Sequence, residues 1–468
     1  MGRRVVVVLC MAVLALAGAG RASAFTQREM TLHMDDGVDL AATLYEPTQG
    51  SPPYPAIVLF HAIGGKRQDL DLVAQRFAQG FVVLSFDARG HGRSGGLVSI
   101  DGPREIADAR AVHDWVAALP NVAPNEVGAW GISLGGGAVL RSLVDGVPWN
   151  AAEVVETWTN LFGALAPQDL SKSGAVYQFL NSVPHDKLDA SVAAIENDAI
   201  ASTNLAVIRR FAAQRSSLAG LSQVQTPVYF FQGRRDFAFG LDQLQAGYRL
   251  VKGPKQLYIC DFGHSPSTFP GPDITTVLNQ GFAFFFRWLV RPPIRPVVNP
   301  ILIATDPYLG AARGYKTLPA TRTVHVNFAG TNTLTGEAKA TRTAGRLRAN
   351  VETFGAGRLH LTVALSGGWE RLVAVLTART PKRKTIVVSE GGINTRAMTG
   401  KHALTIRLIS DATPIPKGSK LTLTLASNSL AQDPANLLYL DLPQAPAARV
   451  KLGPARLDLP ALRKPISK

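Results

Sequence analysis

The sequence predicts an α/β domain built on a mainly parallel sheet, followed by an all-β domain, and three observations support this order. Between residues 25 and 290, short runs of Val, Ile, Leu and Phe alternate with helical stretches, which is typical of a parallel sheet covered on both faces. Residues 291–300 contain four prolines and predict a stiff linker. Beyond residue 322, short apolar runs separated by turns replace the helical periodicity, which is typical of a β-sandwich or jelly roll.

The first 24 residues predict a cleavable signal peptide. Met1–Arg4 is positively charged, residues 5–20 are uncharged and mostly apolar, and Ala22-Ser23-Ala24 fits the small-x-small pattern before a cleavage site. The apolar run is shorter than the ~20 residues that a membrane-spanning helix needs. We therefore expect a secreted or periplasmic protein with no membrane span.

The elements of the first domain follow from the pattern of apolar residues. A hairpin is predicted around Asp35-Asp36-Gly37, between apolar stretches that end at residue 34 and begin at residue 38. The predicted strands are residues 56–60, 82–86, 127–130, 228–232 and 257–260, and the predicted helices are residues 69–79 and 104–119. In the second domain the predicted strands are residues 323–328, 358–365, 372–377, 385–388, 404–409 and 421–425.

Charge is distributed unevenly along the 468 residues. The formal net charge is +15, with 49 basic and 34 acidic side chains, which by itself would suggest nucleic-acid binding. Residues 300–468 hold 24 of the basic and 9 of the acidic side chains, whereas residues 25–299 are nearly neutral. The basic second domain carries no recognised nucleic-acid motif, and an exported chain rarely meets a genome. We expect no nucleic-acid partner and at most contact with an anionic surface.

A Gly-x-Ser-x-Gly motif, Gly131 to Gly135, lies between a predicted strand and a predicted helix. A serine on so sharp a turn has strained backbone angles, and glycines on either side let strand and helix approach each other. The turn presents the hydroxyl of Ser133 at a helix N-terminus, where free N–H groups favour developing negative charge. The motif predicts Ser133 as a nucleophile. The alternative is a glycine-rich turn without a chemical role.

A serine nucleophile needs a base and an orienting carboxylate, each expected in a loop after a later strand. Asp236 follows the strand at residues 228–232, and His264 follows the strand at residues 257–260. His264 is the only histidine between Asp236 and the second domain. We therefore predict His264 as general base and then acid, with Asp236 as its orienting carboxylate.

Three alternatives to this assignment remain. Asp236 is a surface acid if it pairs with the neighbouring Arg234 or Arg235 instead. Asp261 is a second candidate for the carboxylate, although its position three residues before His264 favours a role in shaping the loop. His185 lies in the predicted cap and is expected to be solvated.

The oxyanion hole is expected to combine two backbone N–H groups. One is that of Leu134, and the other follows the strand at residues 56–60, where Ile63 is favoured and Ala62 is the alternative. His61 is expected to brace this loop by hydrogen bonding. No Cys/His cluster has zinc spacing, and we predict no metal and no cofactor. Cys260 is expected to be a buried, inert thiol.

Residues 30–290 resemble an α/β-hydrolase in their motifs: His61 to Gly65, Asp87 to Gly92, Gly131 to Gly135, Asp236 and His264. With the trailing β-rich domain, the chain is similar to the Xaa-Pro dipeptidyl-peptidase (S15) and cocaine-esterase group, the CocE/NonD hydrolases. The resemblance implies an α/β-hydrolase fold with a helical cap, followed by an all-β jelly-roll or β-sandwich domain. It also implies hydrolysis of an ester or amide substrate through an acyl-enzyme on serine.

One departure from the group concerns the oxyanion hole. Many members are thought to supply a tyrosine hydroxyl there, from a Pro-Tyr pair, whereas this chain has His61-Ala62-Ile63 at that place. The departure favours an esterase over a dipeptidyl peptidase. A dipeptidyl peptidase would also need a carboxylate in the cap for the substrate's α-amine, and the candidates are Asp169, Asp186, Asp189, Glu196 and Asp198.

The predicted boundaries are a signal peptide at residues 1–24, a catalytic domain at 25–290, a linker at 291–322 and a sandwich at 323–468. The cap, at about 161–221, contains amphipathic stretches at residues 170–180 and 188–211. The alternative function is that of a degenerate hydrolase that binds anionic envelope polymers.

Overall fold

The computed structural model describes residues 24–290, 297–336 and 338–467. The predicted signal peptide lies outside the described residues except for Ala24. Within the described ranges, no helix is both long and apolar enough to cross a membrane.

Within the described ranges, ten strands form the first sheet, in the order β1-β2-β4-β3-β5-β6-β7-β8-β9-β10. Strands β3 to β9 are parallel to one another, and antiparallel strands flank them at both edges. The strands are β1 (Phe25–His33), β2 (Asp39–Pro47), β3 (Tyr54–Phe60), β4 (Val82–Phe86), β5 (Val122–Ile132), β6 (Ala151–Val155), β7 (Val228–Gly233), β8 (Lys255–Cys260), β9 (Ile301–Ala304) and β10 (Ala312–Tyr315).

Helices cover both faces of this sheet and form a cap above its carboxyl edge. The helices are α1 (Asp71–Phe77), α2 (Pro103–Ala117), α3 (Leu134–Val144), α4 (Leu161–Leu165), α5 (Ser173–Asn181), α6 (Ala190–Ala193), α7 (Glu196–Ala201), α8 (Leu205–Gln214), α9 (Leu241–Leu250) and α10 (Ile274–Phe285). Helices α2, α3 and α9 bury their apolar residues against one face, and α1 and α10 against the other. Alternate residues of β3 enter the two cores, as the pleat of a doubly covered strand requires.

The cap consists of α4 to α8, between β6 and β7. The stretch at residues 188–211, predicted as one helical region, is divided into three short helices. Ser202 and Asn204 have left-handed backbone angles, with φ of 58° and 43°, and these break the chain between α7 and α8. The cap is therefore a set of short helices with gaps between them.

The described residues of the second domain form eleven strands, all in antiparallel pairs. One sheet has the order β11-β21-β15-β18 with β12 also on β21, a second has the order β13-β20-β16-β17, and β14 pairs with β19. The strands are β11 (Thr321–Phe328), β12 (Asn332–Thr335), β13 (Ala340–Arg346), β14 (Val351–Glu352), β15 (Gly355–Ser366), β16 (Arg371–Arg379), β17 (Thr385–Asn394), β18 (Gly400–Asp411), β19 (Pro414–Ile415), β20 (Lys420–Ala426) and β21 (Arg449–Leu462). Apolar side chains from the two sheets share one core, the arrangement of a sandwich.

Part of the segment that the sequence predicts as a linker, residues 291–322, instead forms two strands of the first sheet. Strand β9 pairs in parallel with β8, and β10 pairs with β9, so both extend the first sheet beyond the proline-rich segment. The physical reason is burial, since Ile301, Ile303 and Ala304 are enclosed in the cores of the first domain.

Candidate active site

Ser133 occupies the turn between β5 and α3 with a strained backbone. Its φ is 53° and its ψ is −115°, in a region that a residue with a Cβ rarely adopts. A Cβ added to Gly131 would lie 2.2 Å from the carbonyl oxygen of Gly135, and one added to Gly135 would lie 2.2 Å from that of Phe60. Both glycines are therefore required for the close approach of strand and helix.

The structure brings together the three side chains that the sequence predicts as a triad. Ser133 Oγ lies 3.1 Å from His264 Nε2, and His264 Nδ1 lies 2.6 Å from Asp236 Oδ2. The Ser133 residue is 4% exposed and the Asp236 side chain is fully buried, whereas the imidazole is 23% exposed. The rings of Phe239 and Phe179 pack against the imidazole edge to face, with centroids 5.1 and 5.6 Å away. The His264 ring is thus held in one orientation and remains open to solvent on one side.

Asp236 is held in the ionised form. Burial by itself would raise the pKa of its carboxyl group. The facing His264 imidazole and hydrogen bonds from His264, Glu156 and the Phe239 N–H overcome that effect and lower the pKa to about 2. At neutral pH, Asp236 is therefore an anion that keeps the proton of the imidazole on Nδ1.

The two arginines named as alternative partners of Asp236 are bonded to other residues. The buried Arg234 guanidinium bonds to Glu352 of the sandwich and to the carbonyl oxygen of Ala412, the latter at 2.8 Å. Arg235 donates to the carbonyl oxygen of Val387 at 2.8 Å. The structure thus ties both arginines to the second domain and leaves Asp236 facing His264.

Asp261 and His185 are likewise engaged away from Ser133. Asp261 Oδ2 accepts a hydrogen bond from the Tyr308 N–H at 2.7 Å, so this acid shapes the loop that joins β9 and β10. His185 is exposed in the cap, and its Nδ1 lies 3.6 Å from Glu196 Oε2.

The loop after β3 is braced by His61. Its Nδ1–H donates to the Ala62 carbonyl oxygen at 2.7 Å, and its Nε2 accepts from the Ala88 N–H at 2.8 Å. Burial lowers the pKa of His61, so the ring is neutral, as both hydrogen bonds require. The Ala62 carbonyl also accepts from the Gly65 N–H at 3.0 Å. Since the peptide is trans, the Ile63 N–H points away from that carbonyl.

Ile63 and Leu134 line the same cavity as Ser133, and Ala62 does not. In the described part of the chain, neither the Ile63 N–H nor the Leu134 N–H donates a hydrogen bond to another residue. Both donors are therefore available to an oxyanion beside Ser133, although their roles remain a prediction.

Glu156 is a buried residue of the site that our sequence reasoning missed. It directly follows β6 with a φ of 50°, and its carboxyl group is hydrogen-bonded to that of Asp236. Cys260 Sγ and Gln232 Nε2 donate to it at 3.2 and 3.3 Å. Burial, and then the negative charge of Asp236, raise the pKa of Glu156 well above its ordinary value. A hydrogen bond between two carboxyl groups needs one proton, and the raised pKa of Glu156 beside the lowered pKa of Asp236 favours Glu156 as the group that carries it.

One cluster in the described residues has the donor atoms for a metal ion. Ligand atoms of Glu156, Asp236 and His264 lie within 4.8 Å of one another. Each is already used in the hydrogen bonds above, and an ion there would displace the Asp236–His264 bond. The cluster is therefore better explained as a hydrogen-bonded relay behind Ser133 than as a metal centre.

Two cavities reach the triad from different sides. The cap cavity lies beneath α4 to α8, encloses about 870 Å³ including its mouth, and is bounded by residues such as Ile63, Leu134, Val192, Ala199, Ile208 and Phe239. The interdomain cleft lies between the cap and the sandwich, encloses about 1000 Å³ including its mouth, and is bounded by residues such as Gln178, His264, Glu390, Gln432, Asp433 and Asn436. Of the triad, Ser133 lines the cap cavity and His264 lines the cleft.

Comparison with known proteins agrees with this architecture. Residues 36–266 match the family model described as X-Pro dipeptidyl-peptidase (S15 family). A CocE/NonD family hydrolase from Staphylococcus aureus superposes with a TM-score of 0.71 at 13% identity, covering 94% of each chain. An aminopeptidase from the marine sediment archaeon Thaumarchaeota archaeon gives 0.70 at 13% identity, covering 97% of this chain and 99% of its own. At such identity the likeness concerns the fold, and it confirms the predicted α/β-hydrolase domain followed by a β-rich domain.

The curated relatives below match a short segment of this chain at higher identity. The quorum-quenching protein AidA of Acinetobacter baumannii (strain MDR-ZJ06) is 40% identical over 114 residues, which are 22% of this chain and 36% of AidA. The chain spans about a third of the length of the first curated relatives it matches.

Proposed function

Because residues 36–266 form a domain of the X-Pro dipeptidyl-peptidase (S15) family, as the sequence motifs predict, we propose that this protein is a serine hydrolase acting through an acyl-enzyme on Ser133. The observation that carries the proposal is the hydrogen-bonded chain Ser133–His264–Asp236, built on a strained turn at a helix N-terminus. A turn strained in this way costs stability and is found where a reacting group must be presented.

Each group has a defined step in the proposed reaction. His264 Nε2 accepts the proton of Ser133 Oγ as that oxygen attacks the substrate carbonyl carbon. The N–H groups of Leu134 and Ile63 stabilise the resulting oxyanion. His264 then gives the proton to the leaving group as the scissile bond breaks. Water, deprotonated by the same Nε2, then attacks the acyl carbon, and its bond to Ser133 Oγ breaks as that oxygen takes the proton back from Nε2.

The cap supports an ester substrate over a dipeptide. No charged side chain lines the cap cavity within the described residues, so a substrate α-amine would have no counterion beside the acyl group. The five acidic residues of the cap lie outside its lining. Asp169 pairs with Arg209, Asp189 caps α6, and Asp198 bonds to Thr203 and Asn204.

The proposal is tested with a fluorophosphonate probe and short esters. We expect the wild-type protein to be labelled once per chain and to hydrolyse p-nitrophenyl butyrate, and Ser133→Ala to do neither. Alanyl-prolyl p-nitroanilide should be cleaved far more slowly than the ester. A wild-type protein that neither reacts with the probe nor turns over the ester would overturn the proposal and favour a degenerate binding protein.

Export is part of the proposal and is supported by the motif at residues 1–24 alone. Expression of the full chain in a bacterial host should give a periplasmic or secreted product whose first residue is Phe25. A product that keeps Met1 in the cytoplasm would contradict it.

A further inference from the structure

The cap cavity and the interdomain cleft are suited to the two parts of a substrate that lie on either side of its scissile bond. We infer that the protein cleaves esters of medium-to-long aliphatic acids, with the acyl chain in the cap cavity and a polar alcohol in the interdomain cleft. The inference rests on the proposed function and specifies the substrate class of the same site.

The direction of the substrate follows from the chemistry of the triad. In the acyl-enzyme the acyl group is bound to Ser133 Oγ, and its oxygen must face the N–H groups of Leu134 and Ile63. All three of these residues line the cap cavity. The leaving group must instead lie beside His264 Nε2, which protonates it, and His264 lines the interdomain cleft. The acyl group therefore extends under the cap, and the alcohol departs toward the sandwich.

The cap cavity is chemically suited to a hydrocarbon. Ser133, Ser171 and Ser202 supply the only hydroxyl groups in its lining among the described residues, and Ser202 Oγ already accepts from the Ser171 N–H at 2.8 Å. The indole N–H of Trp158 donates to the Arg215 carbonyl oxygen at 2.8 Å and is thereby satisfied. A polar or charged acyl group would lose its hydration here without gaining partners.

The extent of the cap cavity favours a chain over a small acyl group. Side chains from all five cap helices, α4 to α8, line it, and an acetyl group on Ser133 would leave most of that apolar lining without contact. Besides Ser133, the lining includes Val192, Ala199 and other residues of two small apolar clusters to which the cap helices contribute. Each methylene that enters it leaves water, which should raise kcat/KM by about fourfold until the cavity is full.

The interdomain cleft is more polar than the cap cavity, although apolar side chains such as Phe237 and Leu437 also line it. It is bounded by polar side chains that include Gln178, Gln432, Asp433 and Asn436, three of them from the sandwich. The same sandwich segment is fixed to the start of α5, since the Gly174 N–H donates to the Leu438 carbonyl at 3.0 Å and the Leu440 N–H donates to Ser173 Oγ at 2.8 Å. The second domain therefore provides a rigid, hydrogen-bonding wall for the leaving alcohol.

The test is a chain-length series of p-nitrophenyl esters from acetate to palmitate, each below its micellar concentration, with the benzoate ester included. We expect kcat/KM to rise from acetate to a maximum between octanoate and dodecanoate, and to exceed the benzoate value there. A maximum at acetate or butyrate, or a preference for benzoate, would overturn the inference while leaving the proposed function intact. If no ester is turned over and a fluorophosphonate does not label Ser133, the proposed function itself has failed.

A matched pair of variants tests where the chain lies. Ala199 lines the cavity from the cap helix α7, and Ala199→Phe should lower the dodecanoate-to-butyrate ratio of kcat/KM at least tenfold. Ala193→Phe, on the exposed side of α6, should leave that ratio unchanged. Equal ratios in both variants would overturn the placement of the chain.

The leaving-group side has its own test. Titration of released acid should show that glyceryl monooctanoate is hydrolysed at least fivefold faster than methyl octanoate. In the Gln432→Ala variant, the ratio of the glyceryl monooctanoate rate to the methyl octanoate rate should be smaller than in the wild-type protein. Equal rates for the two esters in the wild-type protein would overturn the assignment of the cleft.

Discussion

The protonation of Glu156 makes a quantitative prediction for the Glu156→Gln variant. Glutamine keeps the shape of a protonated glutamic acid and can still donate to Asp236, so kcat/KM should change by less than about threefold. The acid limb of the pH profile should stay in place, because no charge is removed. Glu153→Gln is the matched control. That buried carboxyl lies on β6, the strand that Glu156 follows, and burial raises its pKa also, but its oxygens face Gly281 on α10.

An ionised Glu156 would give a clearly different pH profile of kcat/KM in the Glu156→Gln variant. If Glu156 were ionised, its charge would act on His264 across at most 4.8 Å. At an effective dielectric constant of ~20, that interaction is about 3.5 kcal/mol, equivalent to a displacement of the acid limb of kcat/KM by about 2.5 pH units. Removing the charge in Glu156→Gln would then move the acid limb of kcat/KM to lower pH. A downward shift of one unit or more, measured over pH 4 to 9, would refute the neutral Glu156.

The Glu156→Leu variant separates hydrogen bonding from mere filling of space. It removes the donor to Asp236 and the acceptor for Cys260 and Gln232. A hydrogen bond to a charged group contributes about 1.5–3 kcal/mol, so kcat should fall by about 10- to 100-fold. Activity equal to that of the wild type in Glu156→Leu would show that the hydrogen bond does not position Asp236.

Three further predictions concern Asp236 and the domain interface. Asp236→Asn should lower kcat for p-nitrophenyl butyrate by about 10⁴-fold with an unchanged circular dichroism spectrum, because the imidazole loses the tautomer that the anion selects. Since the pKa of Asp236 is about 2 in the folded protein, below its ordinary value of 3.8, its charge stabilises the fold above pH 4 and this stabilisation is lost as the pH falls toward 2. The difference in urea midpoint between wild type and Asp236→Asn should therefore narrow over that interval. Arg234→Met should lower the free energy of unfolding by about 3–5 kcal/mol in urea titrations, since it leaves the buried Glu352 without its cation; an unchanged midpoint would contradict this.

Much of the site could be predicted because a parallel sheet orders its loops. Ser133, Asp236 and His264 each follow a recognisable apolar strand, and the carboxyl ends of those strands meet at one edge of the sheet. The His61 brace could be expected for the same reason. The sandwich strands that alternate apolar and polar residues were also predictable, since one face of each lies in the core.

Other features depend on contacts that no local pattern reveals. Strand β6 carries the buried Glu153 in the middle of its apolar run. Because a charged residue interrupts the apolar pattern, neither this strand nor the functional position of Glu156 at its end was predicted from the sequence. Strand β21 contains Pro454 and Pro460, which argue against a strand when read from the sequence alone. Arg234 lies two residues before Asp236, yet its partner Glu352 lies 118 residues away, so the alternative pairing of Asp236 with Arg234 does not form.

The central claim is that Ser133 carries the acyl group, and trapping that intermediate tests it most directly. The protein is mixed with excess p-nitrophenyl butyrate, quenched in acid within the first turnovers, digested and mapped by mass spectrometry. A butyryl group on the peptide that contains Ser133, absent from Ser133→Ala, is the result expected. Turnover that persists in Ser133→Ala, or a butyryl group on any other residue, would contradict the account.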